Sequence, residues 1–413
     1  MTTVVFLAAI AVSVSLRLWL AMRQSRYVLA HRGEVPAAFT AGIALDQHQK
    51  AADYTLTKIR FSRASLAVEV VFLLALTLGG LLQRLADFWL TTFDAAGYPY
   101  GLALFASVGL LGLLIDLPLR TYQTFIIEAR FGFNKMTPTL FVADIVKQML
   151  LSIVIGAPLL LAVLWLMAVM GANWWIYVWL LWLTFNLLAL LLYPTLIAPL
   201  FNKFTPLAEG PLKERIASLL ARCGFAASGL FVMDGSKRSA RGNAYFSGFG
   251  AARRIVFFDT LIDKLTAAEI EAVLAHELGH FRRHHLWQSL ALIAAFSFGL
   301  LWLLGRLIEA PGFFLALGVS TPGTAMALIL FAQVLPIFLF PLTPLATAFS
   351  RRNEYAADAY AAAHAAADDL VSALVKLYRD NAATLTPDPL HSLFYDSHPP
   401  ASLRIAHLRD GAT

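Results

Sequence analysis

The chain has little of what holds a small secreted or water-soluble protein together. It carries one cysteine, Cys223, in 413 residues, which excludes an internal disulfide and a cysteine-built zinc site. Any metal must then be held by histidines and carboxylates. Charge is scarce as well: 14% of residues are charged against 59% hydrophobic, and mean hydropathy is +0.68. Soluble domains carry about 25% charged residues, so the balance points to a polytopic membrane protein. No internal repeat is visible, which counts against an inverted-repeat transporter. The N-terminus lacks a basic start and a clear small-residue cleavage site, so residues 3–22 read as a first span and not as a removable leader.

What is present follows a membrane pattern. Hydropathy gives seven spans, at about 3–22, 66–86, 101–119, 149–170, 173–194, 286–305 and 325–349, each near the roughly 20 residues a helix needs to cross. The net charge of +6 is not a nucleic-acid footprint, because the basic residues gather in alternate links. Arg23, Arg26, Arg32, Lys50, Lys58, Arg60 and Arg63 lie in the first link, and Arg120, Arg130, Lys135 and Lys147 in the third. The fifth link, of about 90 residues, is also basic. The positive-inside rule puts these three links and the C-terminus in the cytoplasm. Glu69, Asp116, Asn186 and Gln333 fall within or at the ends of spans, where pairing between helices is the expected fate of such groups. Pro336, Pro341 and Pro344 should bend or break the last span.

The fifth link carries His276-Glu277-Leu278-Gly279-His280. On a helix the two imidazoles at i and i+4 share one face and one Zn²⁺, with the glutamate beside the metal as general base. The motif ends six residues before the sixth span, so a straight helix would hold the metal roughly 9 Å from the hydrocarbon. A metzincin would have a third histidine at 286; that residue is Leu286, which removes this subtype. His284 continues the same helical face one turn on, and it and His285 read as interfacial side chains. The third ligand is expected from Ser350–Asp358, which begins where the seventh span ends. There Glu354 and Asp358 lie on one helical face; Glu354 can ligate the metal while Asp358 holds the free ring nitrogen of a ligand histidine. Asn243-Ala244-Tyr245-Phe246 and Arg254–Phe258, separated by a glycine-rich turn, read as a hairpin whose exposed edge could hold an extended peptide.

These segments resemble the zinc-dependent (type I) CAAX prenyl protease family of integral membrane metallopeptidases. The resemblance rests on His276–His280, Ser350–Asp358, Gly242–Phe249, Glu128–Lys135, Ser397-His398-Pro399-Pro400 and Pro199–Phe204, in preserved order from about residue 120 to 405. It implies a mainly α fold: seven transmembrane helices around an intramembrane chamber, plus a cytoplasmic zinc-peptidase domain with a small β-hairpin. It also implies that Asn243 and Ala244 lie on a substrate-binding edge, and that His398 and Arg404 lie near the zinc, where a proton donor and a cation stabilise an oxyanion. The expected division is a membrane domain 1–194, a cytoplasmic loop domain 195–285, spans six and seven at 286–349, and a cytoplasmic segment 350–413.

The expected function is a membrane zinc endopeptidase acting on membrane-associated or lipidated CAAX-like peptides, one Zn²⁺ per chain, with membrane lipids as partners and no nucleic acid. The alternatives are an HtpX-like quality-control protease and a transporter or channel with a structural zinc. The Ala-, Leu- and Arg-rich composition suggests a bacterial inner membrane, with the site facing the cytoplasm.

Overall fold

The computed structural model describes residues 2–95, 97–225, 229–247 and 254–410. Among the described residues, six helices are long and apolar enough to cross a membrane: Thr3–Ala30, Tyr98–Glu128, Pro138–Val169, Gly171–Phe201, His285–Leu307 and Thr324–His364. A bent pair, Leu45–Leu76 and Leu81–Leu90, inclined at 46°, makes a seventh when the two are taken as one span. The expected second span, 66–86, runs straight through this bend. The break has a local cause: Gly80 takes φ +72°, a left-handed conformation that side chains other than glycine rarely adopt. In the last span Pro336 is absorbed within Thr324–Leu339, and the helix instead breaks into a 3₁₀ turn at Phe340–Leu342, around Pro341.

Most crossings overrun the bilayer. Leu45–Leu76, at 32 residues, is about 48 Å long against a hydrocarbon core of about 30 Å. Residues expected in the first link therefore belong to helices that project from the membrane. The polar groups within spans also pair differently from the expectation. Glu69 meets Arg17 of the first helix at 3.8 Å, but Asp116 pairs with Arg120 one turn away, and Asn186 donates to the Trp182 carbonyl at 2.7 Å. The last two are satisfied within their own helices, because an i, i+4 partner is always in reach.

Outside the spans lies a four-stranded sheet of β1 (Phe204–Pro206), β2 (Gly229–Met233), β3 (Ala244–Ser247) and β4 (Arg254–Phe258), in the order β1-β2-β4-β3. The expected hairpin is present as β3 and β4, antiparallel from Ala244 opposite Phe257 to Ser247 opposite Arg254. Its turn, including Gly248 and Phe249, lies outside the described residues. β2 runs parallel to β4 and antiparallel to β1, leaving β3 on an edge.

One apolar core joins this sheet to distant segments. Phe257 and Ile255 of β4 pack with Ile216 and Leu219, with Leu274 and Leu278 of the motif helix, and with Leu370, Leu374 and Ile405 of the C-terminal region. Phe39 and Ile43 of the first link enter the same core. A separate core ties the membrane helices together, from Phe6 through Leu104 to Leu330. Between the helices open two cavities, one of about 780 Å³ with mixed polar walls and one of about 1120 Å³ lined almost wholly by apolar side chains.

Candidate metal centre

The motif helix, Ala267–Arg282, starts on a reciprocal cap. The Thr266 hydroxyl accepts from the Glu269 amide at 3.3 Å, and the Glu269 carboxylate accepts from the Thr266 amide at 2.8 Å. Glu269 is also held by Ser372 at 2.6 Å and Lys376 at 2.7 Å, so the cap fixes this helix to Ala367–Asp380. Burial works against the Glu269 carboxylate, but these hydrogen bonds win and set its pKa below the ordinary value.

Along the helix, Leu274, Ala275, Leu278 and Gly279 are buried, which turns His276 and His280 toward Thr343–His364. Gly279 permits that approach: a Cβ there would fall 2.9 Å from the Ala357 Cα. Glu354 arrives one turn before Ala357, with Oε1 3.2 Å from His280 Nε2 and Oε2 3.5 Å from His276 Nε2. The two Nε2 atoms are 3.2 Å apart, and one donor atom from each of the three side chains lies within 4.8 Å of the others.

The hydrogen bonds around this triad fit a cation. His276 Nδ1 is 2.8 Å from Asp358 Oδ1, so its proton belongs on Nδ1 and its Nε2 lone pair faces the centre. His280 Nδ1 is 3.0 Å from His285 Nδ1, which can fix the second ring in the same tautomer. Two lone pairs then converge with Glu354, whose buried Oε2 has no hydrogen-bond partner. Two histidines and a carboxylate at one point are the donor set of a catalytic zinc site. Without such a cation the proton compensates. Burial pulls the His276 imidazole down, but its hydrogen bonds to Asp358 and Glu354 outweigh that and raise its pKa to about 9.

The structure brings together every side chain expected at the centre, though not always in the expected way. Glu277 sits half-buried beside His276 and His280. Burial lifts its carboxyl above the ordinary range, the two imidazoles oppose this, and Glu354 adds to it. His398 Nε2 is 3.4 Å from Glu354 Oε1, and burial holds the imidazole below the ordinary histidine value. Arg404 is buried behind His276. It donates from Nε and Nη2 to the two Asp358 oxygens at 2.8 and 2.5 Å, leaving Nη1 at 3.7 Å from Glu354. It braces Asp358 and through it His276.

His284 corrects the helical extrapolation. Its φ is +58°, the motif helix has ended at Arg282, and a new helix begins at His285. His284 therefore does not continue the ligand face, whereas His285 turns inward to reach His280. The positional signal for that was weak, since only a helix break after Arg283 brings residue 285 round.

Asn243 has a structural use as well. Its backbone carbonyl accepts from the Phe258 amide at 2.9 Å, and its side chain caps the Ala244 amide at 2.9 Å. By strand alternation the Ala244 carbonyl then points away from β4, toward the open edge.

Comparison with known proteins places the chain among membrane metallopeptidases. The family described as CAAX prenyl protease N-terminal, five membrane helices, matches residues 24–203, and Peptidase family M48 matches residues 206–412. The chain is 34% identical to the CAAX prenyl protease 1 homolog of Arabidopsis thaliana over 387 residues, covering 90% of this chain and 89% of that one. It is 36% identical to CAAX prenyl protease 1 of Saccharomyces cerevisiae, over 72% of this chain and 69% of that one. The crystal structure of S. mikatae Ste24p superposes with a TM-score of 0.90 at 30% identity, covering 98% of both chains.

Proposed function

The chain belongs to the CAAX prenyl protease family of M48 membrane metallopeptidases, and from that premise we propose that it cleaves lipidated, CAAX-like peptides at a single zinc. The observation that carries the reading is the convergence of His276 Nε2, His280 Nε2 and Glu354 within 4.8 Å, with both imidazoles oriented from behind. Zinc held there supplies Lewis acidity, polarising the scissile carbonyl and acidifying water.

The chain's own residues do the rest. Glu277 takes a proton from the attacking water and delivers it to the leaving amine. His398, 3.4 Å from Glu354, donates a hydrogen bond to the developing oxyanion. Arg404 we read as a positioning residue, since Asp358 occupies two of its nitrogens. Ala244, with Asn243 setting the turn, offers the β3 edge to an extended substrate.

The peptidase domain in this reading is assembled from 195–285 and 350–413, whose apolar residues share one core. The basic links favour a cytoplasmic site, and composition favours a bacterial inner membrane. The apolar cavity of about 1120 Å³ suits a lipid anchor, each buried CH₂ of which contributes about 0.8 kcal/mol. A quality-control protease would use the same chemistry with little demand for a lipid.

The deciding experiment compares prenylated and unprenylated forms of one peptide, below their micelle-forming concentrations, with and without chelator. Chelator-sensitive cleavage with a higher kcat/KM for the prenylated form is expected. Equal values would leave a general membrane-tethered peptidase.

A further inference from the structure

The cavity of about 780 Å³ reaches from the metal centre, at His398 and Pro400, to Tyr54, Lys58 and Arg241. Among the described residues, two of the four lysine and arginine side chains on its wall are matched: Arg17 meets Glu69 at 3.8 Å, and Arg241 meets Glu128 at 2.8 Å while also donating to the Tyr54 hydroxyl. Arg63 is not, and neither is Lys58, which shares the Tyr54 ring with Arg241. Among the described residues no carboxylate lies within 4.0 Å of Lys58, and its ammonium stands 5.2 Å from the Tyr54 ring, exposed to the cavity. Arg241 stacks over the Phe133 ring at 4.7 Å and over Tyr54 at 5.5 Å, so this corner carries two cations for one nearby carboxylate.

Strand direction says which end of a substrate reaches it. Among the described residues β3 is paired with β4 on one side only, which leaves its outer edge open. An added strand pairs more stably when antiparallel. It would then run with its C-terminus toward the start of β3, past Asn243 to Arg241, two residues upstream. A scissile bond inside a C-terminal four-residue motif leaves the terminal carboxylate at most about 10 Å further on, at about 3.3 Å per residue. The Arg241–Lys58 corner lies on that side of the cut, in the cavity that also reaches His398.

Resting on the peptidase reading above, we propose that Lys58, backed by Arg241, binds the free C-terminal carboxylate of the substrate on the leaving-group side of the cut. The site would thus measure distance from a chain terminus as well as hold a lipid. An unmatched ammonium in a partly enclosed wall is costly, and a carboxylate removes that cost with a charge-assisted hydrogen bond.

The test uses two prenylated peptides identical except that one ends in a carboxylate and the other in a carboxamide. In the wild type, kcat/KM should favour the carboxylate by about tenfold or more. In Lys58→Met, which keeps the length of the side chain without its charge, the ratio should fall to within about twofold of one. Lys58→Arg should retain most of the preference, and metal content, measured on each variant, should stay at the wild-type level. A wild-type ratio near one, or a preference intact in Lys58→Met, overturns the proposal while leaving the peptidase reading standing. Hydrolysis of neither peptide by metal-loaded wild type overturns both.

Discussion

Gly279 of the motif helix and Ala357 of the helix carrying Glu354 meet so closely that a Cβ on the glycine would lie 2.9 Å from the Ala357 Cα. This contact sets the spacing of the three proposed ligands, because His280 follows Gly279 directly and Glu354 precedes Ala357 by one turn. In an open helix, Gly→Ala would stabilise by about 1 kcal/mol. Here the methyl must separate two backbones, and overpacking costs about 1–3 kcal/mol. Gly279→Ala should therefore lower thermal stability in detergent and weaken metal retention. A variant as stable and as metal-replete as wild type would refute this spacing role.

The centre separates metal retention from chemistry. Glu354→Ala removes a ligand, so metal per chain should drop well below one on analysis of purified protein. Glu277→Gln should keep its metal and fold yet lose about 10²–10⁴-fold in kcat. Asp358→Asn and His285→Ala remove the groups orienting the two imidazoles and should weaken metal affinity about 10–100-fold, measured by competition with a chelator. Full occupancy in Glu354→Ala would remove it from the ligand set.

Much of this was legible in one dimension. Hydropathy locates seven crossings because a span is a local property of about 20 consecutive residues. The His276–His280 pair and the Glu354–Asp358 pair are local too, each one helical turn apart. What escaped depends on chain reversal or on partners far apart in sequence. The Gly79-Gly80 break reads as apolar, so the second span looked continuous. His284 was placed on the motif helix's face because periodicity was carried past Arg282, where that helix ends, and nothing local marked the turn that brings His285 to His280. The bidentate Arg404–Asp358 pair joins residues 46 apart, and β1 has only three residues with a partner about 25 positions away. Neither leaves a periodic trace.

Glu269 gives the motif helix a pH-dependent anchor. Its folded pKa is depressed below the ordinary 4.5 by Lys376, Ser372 and the Thr266 cap, despite opposing burial. A depressed carboxylate contributes stability that is full above its unfolded pKa and is lost as pH falls through the folded one. Glu269→Gln should therefore lower the melting temperature at pH 7, by the equivalent of about 1–3 kcal/mol for a lost charged hydrogen bond. Its deficit against wild type should shrink below about pH 4.5. A deficit independent of pH would show that the cap works through shape alone.

The proposed cytoplasmic side of the centre rests on the basic links, and it can be tested at exposed positions. Cys223 is the only native thiol, so a Cys223→Ser background carries no labelling site. Cysteines at Asp94 and Leu315, in the short links between spans, should react with an impermeant maleimide added to intact cells; both are exposed. Cysteines at Glu209 and Leu403, also exposed, should react only after the membrane is opened. Leu403 is the better probe of the C-terminal segment than Ile405, which is buried and would stay silent on either side. Inverting the chain would carry the excess basic residues of three links across the bilayer against the insertion bias. Labelling of 209 and 403 in intact cells, with 94 and 315 protected, would place the centre outside and remove cytoplasmic lipidated proteins from its reach.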